Sequence, residues 1–136
     1  MIATGSDAVS LPGLDIDEKR IITSTGALEL SKVPEHLVLV GGGVIGLEMG
    51  SVWKRLGAKV TVVEFTDAIA AGADIEVAKT FRRSLEQQGL TFRMKSKVLG
   101  VDKNGEKLTV NVQDIVKNST DKVSWLAHNW YRAARF

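Results

Sequence analysis

This sequence contains no cysteine. Disulfides, thiolate metal sites and cysteine redox chemistry are therefore excluded within its 136 residues. No apolar run approaches the ~20 residues that a membrane-spanning helix requires. The N-terminus has neither the basic-then-apolar pattern of a secretory signal nor the Arg-rich pattern of a transit peptide, so no targeting segment is recognised. Aromatic residues are scarce, at 6%, and Trp125, Trp130, Tyr131 and Phe136 crowd towards the end. The two histidines, His36 and His128, have no partners at metal-ligand spacing, so no metal site is expected and neither is assigned a role. Charge of one sign is also lacking. The net charge is +2, and its excess lies in residues 114–136, where Lys117, Lys122, Arg132 and Arg135 outnumber Asp114 and Asp121. A nucleic-acid-binding face needs a larger basic cluster than that. Asn118-Ser119-Thr120 matches a glycosylation sequon, but without a secretory signal it is a chance match. There is no internal repeat and no low-complexity segment.

What is present is ordinary in bulk, 44% hydrophobic and 25% charged, and at most one domain in length. The chain is organised around His36-Leu37-Val38-Leu39-Val40-Gly41-Gly42-Gly43-Val44-Ile45-Gly46. A run of apolar residues reads as a buried strand, and glycines follow at once. From Ile45 the apolar positions take helical spacing: Ile45, Met49, Val52 and Leu56. Gly41, Gly43 and Gly46 thus form G-x-G-x-x-G at a strand-to-helix turn, the context that gives the motif meaning. Gly41 permits the tight turn, Gly43 lets a pyrophosphate approach the backbone, and Gly46 lets the helix pack on the strand. The N–H groups and dipole of the helix then face the phosphates.

A second strand, Lys59 to Val63, closes on Glu64, eighteen positions after Gly46. That is close to the roughly twenty residues expected for a carboxylate that binds an adenosine ribose. The acid favours NAD over NADP, whose 2′-phosphate it would repel, and Phe65-Thr66-Asp67 offers no cation. A glycine turn without function in an unrelated α/β domain is the plainer alternative.

Elsewhere, Leu11-Pro12-Gly13 reads as a turn, and Ser24 as the cap of a short helix through Leu30 that Pro34 stops. Gly57 ends the helix after the glycine turn. Asp74 caps a further helix with an apolar stripe of Ile75, Ala78, Phe81 and Leu85, read as core, while Arg82, Arg83 and Glu86 form a solvated face. Leu90 to Met94 is a third strand. Residues 97–102 and 107–112 alternate around Asn104-Gly105, a hairpin signal. The expected fold is α/β: a partial Rossmann β-α-β-α-β parallel sheet, an appended antiparallel hairpin, and an irregular or helical tail. With no fourth strand evident, one side of Leu37-Val38-Leu39-Val40 is expected to lack a ladder partner and to recruit another chain. Ser124 to Trp130 reads as a short amphipathic helix.

Ala3-Thr4-Gly5-Ser6, Thr23 to Leu28, Val38 to Val63, Val63-Glu64-Phe65 and Arg83-Ser84-Leu85-Glu86 together resemble dihydrolipoamide dehydrogenases, over about residues 2–113. Gly46-Leu47-Glu48-Met49-Gly50-Ser51-Val52-Trp53 is an especially close run. Related NADPH-dependent disulfide reductases tend to have alanine at the third motif glycine and arginines beyond the second strand; Gly46 and Phe65-Thr66 match neither. The resemblance implies an FAD-dependent enzyme that oxidises dihydrolipoamide and reduces NAD through a redox disulfide. It also implies homodimers, membership of 2-oxoacid dehydrogenase complexes, and the mitochondrial matrix or bacterial cytoplasm. It divides the chain into the end of an FAD domain with its connector (1–34), an incomplete NAD-binding domain (35–113) and a tail unlike the family (114–136).

The resemblance further implies that Gly41, Gly43 and Gly46 hold the pyrophosphate and Glu64 the ribose. It implies that Ile45 and Glu48 line the nicotinamide and flavin side, and that Val98 contacts adenine. Val98 is equally explained as an ordinary apolar hairpin position, and Glu48, without the family's lysine and cysteines, as an exposed helix acid. Val44 stands where related reductases often place an aromatic gate. The family's flavin-binding turn, cysteine pair and catalytic His-Glu pair have no counterpart here, so no catalytic residue is assigned. Three functions stay open: part of an NAD-dependent dehydrogenase, a stand-alone module binding the ADP half of NAD, or a truncated interaction fragment.

Overall fold

The computed structural model describes residues 14–104, 107–125 and 131–135. The matching run Ala3 to Ser6, the turn at 11–13, the hairpin tip at Gly105 and residues 126–130 of the expected tail helix lie outside these. β1 (Ile21–Thr23) runs straight into α1 (Ser24–Leu28), with Thr23 rather than Ser24 at the N-cap and no side-chain capping bond. β2 (His36–Val40) leads through the glycine turn into α2 (Val44–Arg55), and β3 (Lys59–Val63) leads through a connector into α3 (Ile75–Gln87) and β4 (Thr91–Arg93). Four further strands are β5 (Ser96–Asn104), β6 (Lys107–Asp114), β7 (Ser119–Trp125) and β8 (Tyr131–Arg135).

Both long helices stop in the same way. At the end of α2, Gly57 takes φ +111°, which only glycine adopts at little cost. Its N–H bonds to the Lys54 carbonyl at 3.1 Å, and the Ala58 N–H to that of Trp53 at 3.0 Å. At the end of α3, Gly89 bonds Glu86 at 2.9 Å and Leu90 bonds Leu85 at 3.1 Å. These paired bonds are a Schellman motif, and the buried Leu85 and Leu90 stand at the positions of its apolar contact. The start of α3 follows expectation: the Asp74 carboxylate accepts from the Glu76 N–H at 2.9 Å and the Val77 N–H at 3.3 Å.

β2, β3 and β4 pair in parallel, with Leu37 opposite Val60 and Val40 opposite Val63. Residues of β2 alternate between two cores. Leu37 and Leu39 join Leu47, Trp53, Val60, Val62 and Leu85 beneath the helices. Val38 joins Val63, Val110 and Val112 against the antiparallel sheet. Helices therefore cover one face of the parallel sheet, and β5-β6-β7 covers the other. All five residues of β2 are buried, as a strand covered on both faces must be.

Three expectations are corrected. First, the stripe of α3 read as core is core only in part: Ala78 and Leu85 are buried, but Ile75 is 69% exposed. On α2, too, the apolar spacing does not mark the packed face, since Ile45, Val52 and Leu56 are 52%, 48% and 56% exposed. The buried residues are Gly46, Leu47, Gly50 and Trp53. A Cβ on Gly50 would meet Leu39 Cδ1 at 2.6 Å, so the helix lies on the sheet along a face where glycine admits close approach. Second, among its described residues the tail is largely strand rather than irregular or helical, over residues 119–125 and 131–135. Third, β2 has no open edge. β8 lies between β1 and β2, parallel to both, in a five-stranded sheet of order β1-β8-β2-β3-β4. Ala133 and Ala134, good helix formers, become strand residues because unpaired ladder groups on β1 and β2 outweigh local propensity. The edge expected to recruit another chain is filled from within.

The connector before β1 is tied to the hairpin. Asp17 accepts from the N–H groups of Lys19, Arg20 and Ile21, and from Lys103 Nζ at 2.8 Å. Burial alone would raise its pKa, but the Lys103 ammonium and the backbone donors outweigh it and hold the carboxyl below the usual range.

His36 is 3% exposed, and its Nε2 lies 2.9 Å from Thr61 Oγ1. Burial, helped by the charge of Lys59, lowers its pKa from 6.5 to about 4. The folded chain therefore resists a proton that the unfolded chain accepts. This stability is fully present above pH 6.5 and is lost as pH falls towards 4, by on the order of 2 kcal/mol. In urea unfolding at pH 7 and pH 4, the unsubstituted chain should lose about 2 kcal/mol more than His36→Gln; equal losses would mean that the folded imidazole protonates freely.

Removing residues 131–136 unpairs β1 and one side of β2. The shortened chain should melt roughly 5 °C or more lower and associate with rising concentration in sedimentation. An unchanged melting temperature with monomeric sedimentation would contradict the pairing of β8.

Candidate functional site

The parallel register of β2 and β3 ends with Val40 beside Val63, so the residues just beyond each strand meet. The Gly41 N–H bonds to the Val63 carbonyl at 2.9 Å, and its φ of +104° turns the chain away from the sheet. Gly42 is buried between three neighbours. Its N–H donates to Glu64 Oε2 at 2.6 Å, and its carbonyl accepts from the Ala70 N–H at 2.8 Å. A Cβ there would lie 3.1 Å from Ile69 Cγ2 and 3.3 Å from Glu64 Oε2. Gly43 is the N-cap of α2, and its carbonyl accepts the first helical bond, from the Leu47 N–H at 3.0 Å. No side chain caps this end and no acid stands in its first turn. The first amides of α2 are thus left to an anion, in the direction the helix dipole favours.

Glu64 is held on its backbone and its carboxylate alike. Its N–H bonds to the Arg93 carbonyl at 2.8 Å, and its own carbonyl accepts from the Ser96 N–H at 2.9 Å. Glu64 Oε1 accepts from the Thr66 N–H at 2.7 Å and from Thr66 Oγ1 at 2.8 Å. With Oε2 on Gly42, the carboxylate bridges the glycine turn and the loop after β3. It remains half-exposed, so a hydroxyl ligand can reach it.

The structure brings Gly41, Gly43 and Glu64 into this one corner. Gly46 lies one turn into α2 and is buried, while Ile45 and Glu48 share the outward side of the helix and are exposed. Val98, on β5, is half-buried and packs against the Val38–Val63–Val110–Val112 cluster. It stands beside an irregularity in the β5–β6 register between Val98 and Gly100. Two residues escaped the sequence reading. Gly42, hidden as a variable position of the motif, is the glycine that touches Glu64. Lys95 supplies a cation behind a loop that shows none in sequence: its N–H bonds to the Thr66 carbonyl at 2.9 Å, and its Nζ lies 3.5 Å from Asp67 Oδ2. Among the described residues, no group of three or more acids and histidines could hold a metal ion.

This arrangement has clear relatives. The family model described as "Pyridine nucleotide-disulphide oxidoreductase" matches residues 1–128. The chain is 60% identical over 112 residues to a mitochondrial dihydrolipoyl dehydrogenase of Pisum sativum, covering 81% of this chain and 22% of that protein. It is 58% identical over 116 residues to the mitochondrial dihydrolipoyl dehydrogenase of Dictyostelium discoideum, covering 85% of this chain and 24% of that one. It therefore spans less than a quarter of the length of these curated relatives. Among solved structures, LpdA from Mycobacterium tuberculosis superposes with a TM-score of 0.78 at 26% identity, over 97% of this chain and 27% of that one. With its glycine turn and acid set as described, the chain belongs to the pyridine nucleotide-disulphide oxidoreductase family.

Proposed function

We propose that this chain is the NAD-binding part of an FAD-dependent dihydrolipoamide dehydrogenase, and that it binds the ADP half of NAD without catalysing the reaction itself. The observation that carries the reading is the Glu64 carboxylate lying 2.6 Å from the Gly42 N–H. The group suited to a ribose and the turn suited to a pyrophosphate are thereby adjacent, the distance relation that the ADP half of a dinucleotide requires. In this reading Gly41, Gly43, Gly46 and the first amides of α2 cradle the pyrophosphate, and Glu64 accepts from the ribose hydroxyls. Val98 borders the adenine, and Ile45 and Glu48 face the nicotinamide side. Residues 35–113 form the binding unit, residues 1–34 the end of a flavin domain and its connector, and residues 114–136 a tail that adds a strand to each sheet.

The residues present fit NAD and do not fit flavin. A single G-x-G-x-x-G is committed to the site above, and the sequence has no cysteine to form a redox disulfide. No hydride or thiol step is assigned to these residues, and FAD belongs to the whole enzyme of the family. Similarity to mitochondrial dihydrolipoyl dehydrogenases supports a matrix location and membership of 2-oxoacid dehydrogenase complexes; bacterial cytoplasm as the other setting and homodimeric subunits rest on the family resemblance alone. The exposed ridge of Val44, Ile45, Val52 and Leu56 favours a second reading, as an interaction fragment whose α2 face another surface covers.

Purified chain should be colourless and inactive in NAD-linked lipoamide turnover, yet should bind NADH in fluorescence titration. Glu64→Ala should weaken NADH about tenfold or more, as loss of a hydrogen bond to a charged group does. It should also narrow the preference over NADPH. Equal binding of both nucleotides by the unsubstituted chain would remove the ribose role from Glu64.

A further inference from the structure

The Thr66 hydroxyl has one proton and two acceptors in reach. Its Oγ1 lies 2.8 Å from Glu64 Oε1 and 2.8 Å from the Ala68 carbonyl oxygen. The proton can serve only one acceptor at a time. Meanwhile the Thr66 N–H donates to the same Oε1 at 2.7 Å. With both donors engaged, Oε1 has its two lone pairs filled and Oε2 keeps one beyond its bond from Gly42. The carboxylate is thus fixed in direction and largely satisfied.

We propose that Thr66 is a positioning residue for dinucleotide selectivity: it fixes the Glu64 carboxylate and releases Oε1 to a ribose hydroxyl by turning its own proton to the Ala68 carbonyl. This rests on the assignment of Glu64 to the ribose. The exchange conserves hydrogen bonds. A ribose O–H takes the lone pair that Thr66 leaves, and Thr66 keeps a full bond to Ala68. A vicinal pair of ribose hydroxyls then meets both carboxylate oxygens, Oε1 newly vacated and Oε2 still anchored on Gly42. A 2′-phosphorylated ribose has no 2′ proton to offer. Such a nucleotide keeps only its 3′ hydroxyl, so the paired contact to both oxygens is lost, and the carboxylate repels the phosphate from a fixed position. Selectivity therefore arises from the pair, Glu64 supplying the charge and Thr66 its direction and release.

The test titrates NADH and NADPH against the unsubstituted chain, Thr66→Val, Thr66→Ser, Glu64→Ala and the double variant Glu64→Ala/Thr66→Val, with melting temperatures for each. Thr66→Val keeps the backbone donor and the side-chain shape but removes the hydroxyl. It should weaken NADH about three- to tenfold with little change for NADPH, and Thr66→Ser should restore the unsubstituted values. In the Glu64→Ala background, Thr66→Val should change nothing, because its action passes through the carboxylate. If Glu64→Ala weakens NADH and Thr66→Val does not, the proposal is overturned while the ribose assignment stands. A loss from Thr66→Val that is undiminished without Glu64, or that follows a fall in melting temperature, also overturns it. If Glu64→Ala leaves NADH binding unchanged, the ribose assignment fails and the proposal with it.

Discussion

The hydrogen bond from the Gly42 N–H to the Glu64 carboxylate, 2.6 Å long, joins two segments that neither strand could hold together alone. Because the acceptor is charged, the bond is of the stronger class. It forms only because β2 and β3 end side by side and because Gly42 carries no Cβ to push Ile69 and the acid apart. Every other element of the site is braced to it. The Arg93 carbonyl and the Ser96 amide hold the backbone of Glu64, Thr66 holds its second oxygen, and Ala70 holds the carbonyl of Gly42. The helix amides are aimed by the same turn. A ligand that enters meets groups already in place, so little ordering is left to oppose binding.

β2, the glycine turn, α2, β3 and Glu64 were legible in the sequence because each is announced locally, by an apolar run, a glycine spacing, a helical period or a β-branched run ending in an acid. The Asp74 cap of α3 and the Gly57 stop of α2 were legible for the same reason. The side of α2 that packs was not. Ile45, Met49, Val52 and Leu56 form the stronger apolar stripe, yet the helix lies on Gly46, Leu47, Gly50 and Trp53. Two of those four are glycines, whose contribution is nearness rather than hydrophobicity, so a count of apolar side chains points to the opposite face. The strand nature of residues 131–135 was also hidden. Tyr-Arg-Ala-Ala-Arg has no alternation, and its conformation follows from ladder groups on strands far away in sequence.

The placement of helices on one face and an antiparallel sheet on the other also gives Val98 its double character. Its side chain packs in the layer between the two sheets, while the register irregularity beside it re-aims the strand. A residue in such a position can serve the core and still border a ligand, which is why neither reading of Val98 displaced the other. The Asp17–Lys103 pair works at longer range, fastening the connector to the hairpin, so the two sheets are linked by a charged contact as well as by the valine layer.

The position of β8 has a consequence for the order in which the molecule assembles. Among the described residues, β1 has β8 as its strand partner, and β8 bridges it to β2, so Ile21 meets the sheet only through Ala133. The unit from β2 to β4 consists of neighbours in sequence and can close early. β1 must wait until the most distant strand has threaded into place, with a loop-closure cost that spans almost the whole chain. The β2–β4 unit can therefore stand formed beside an unfinished sheet, and residues 131–135 decide when β1 stops being loose chain.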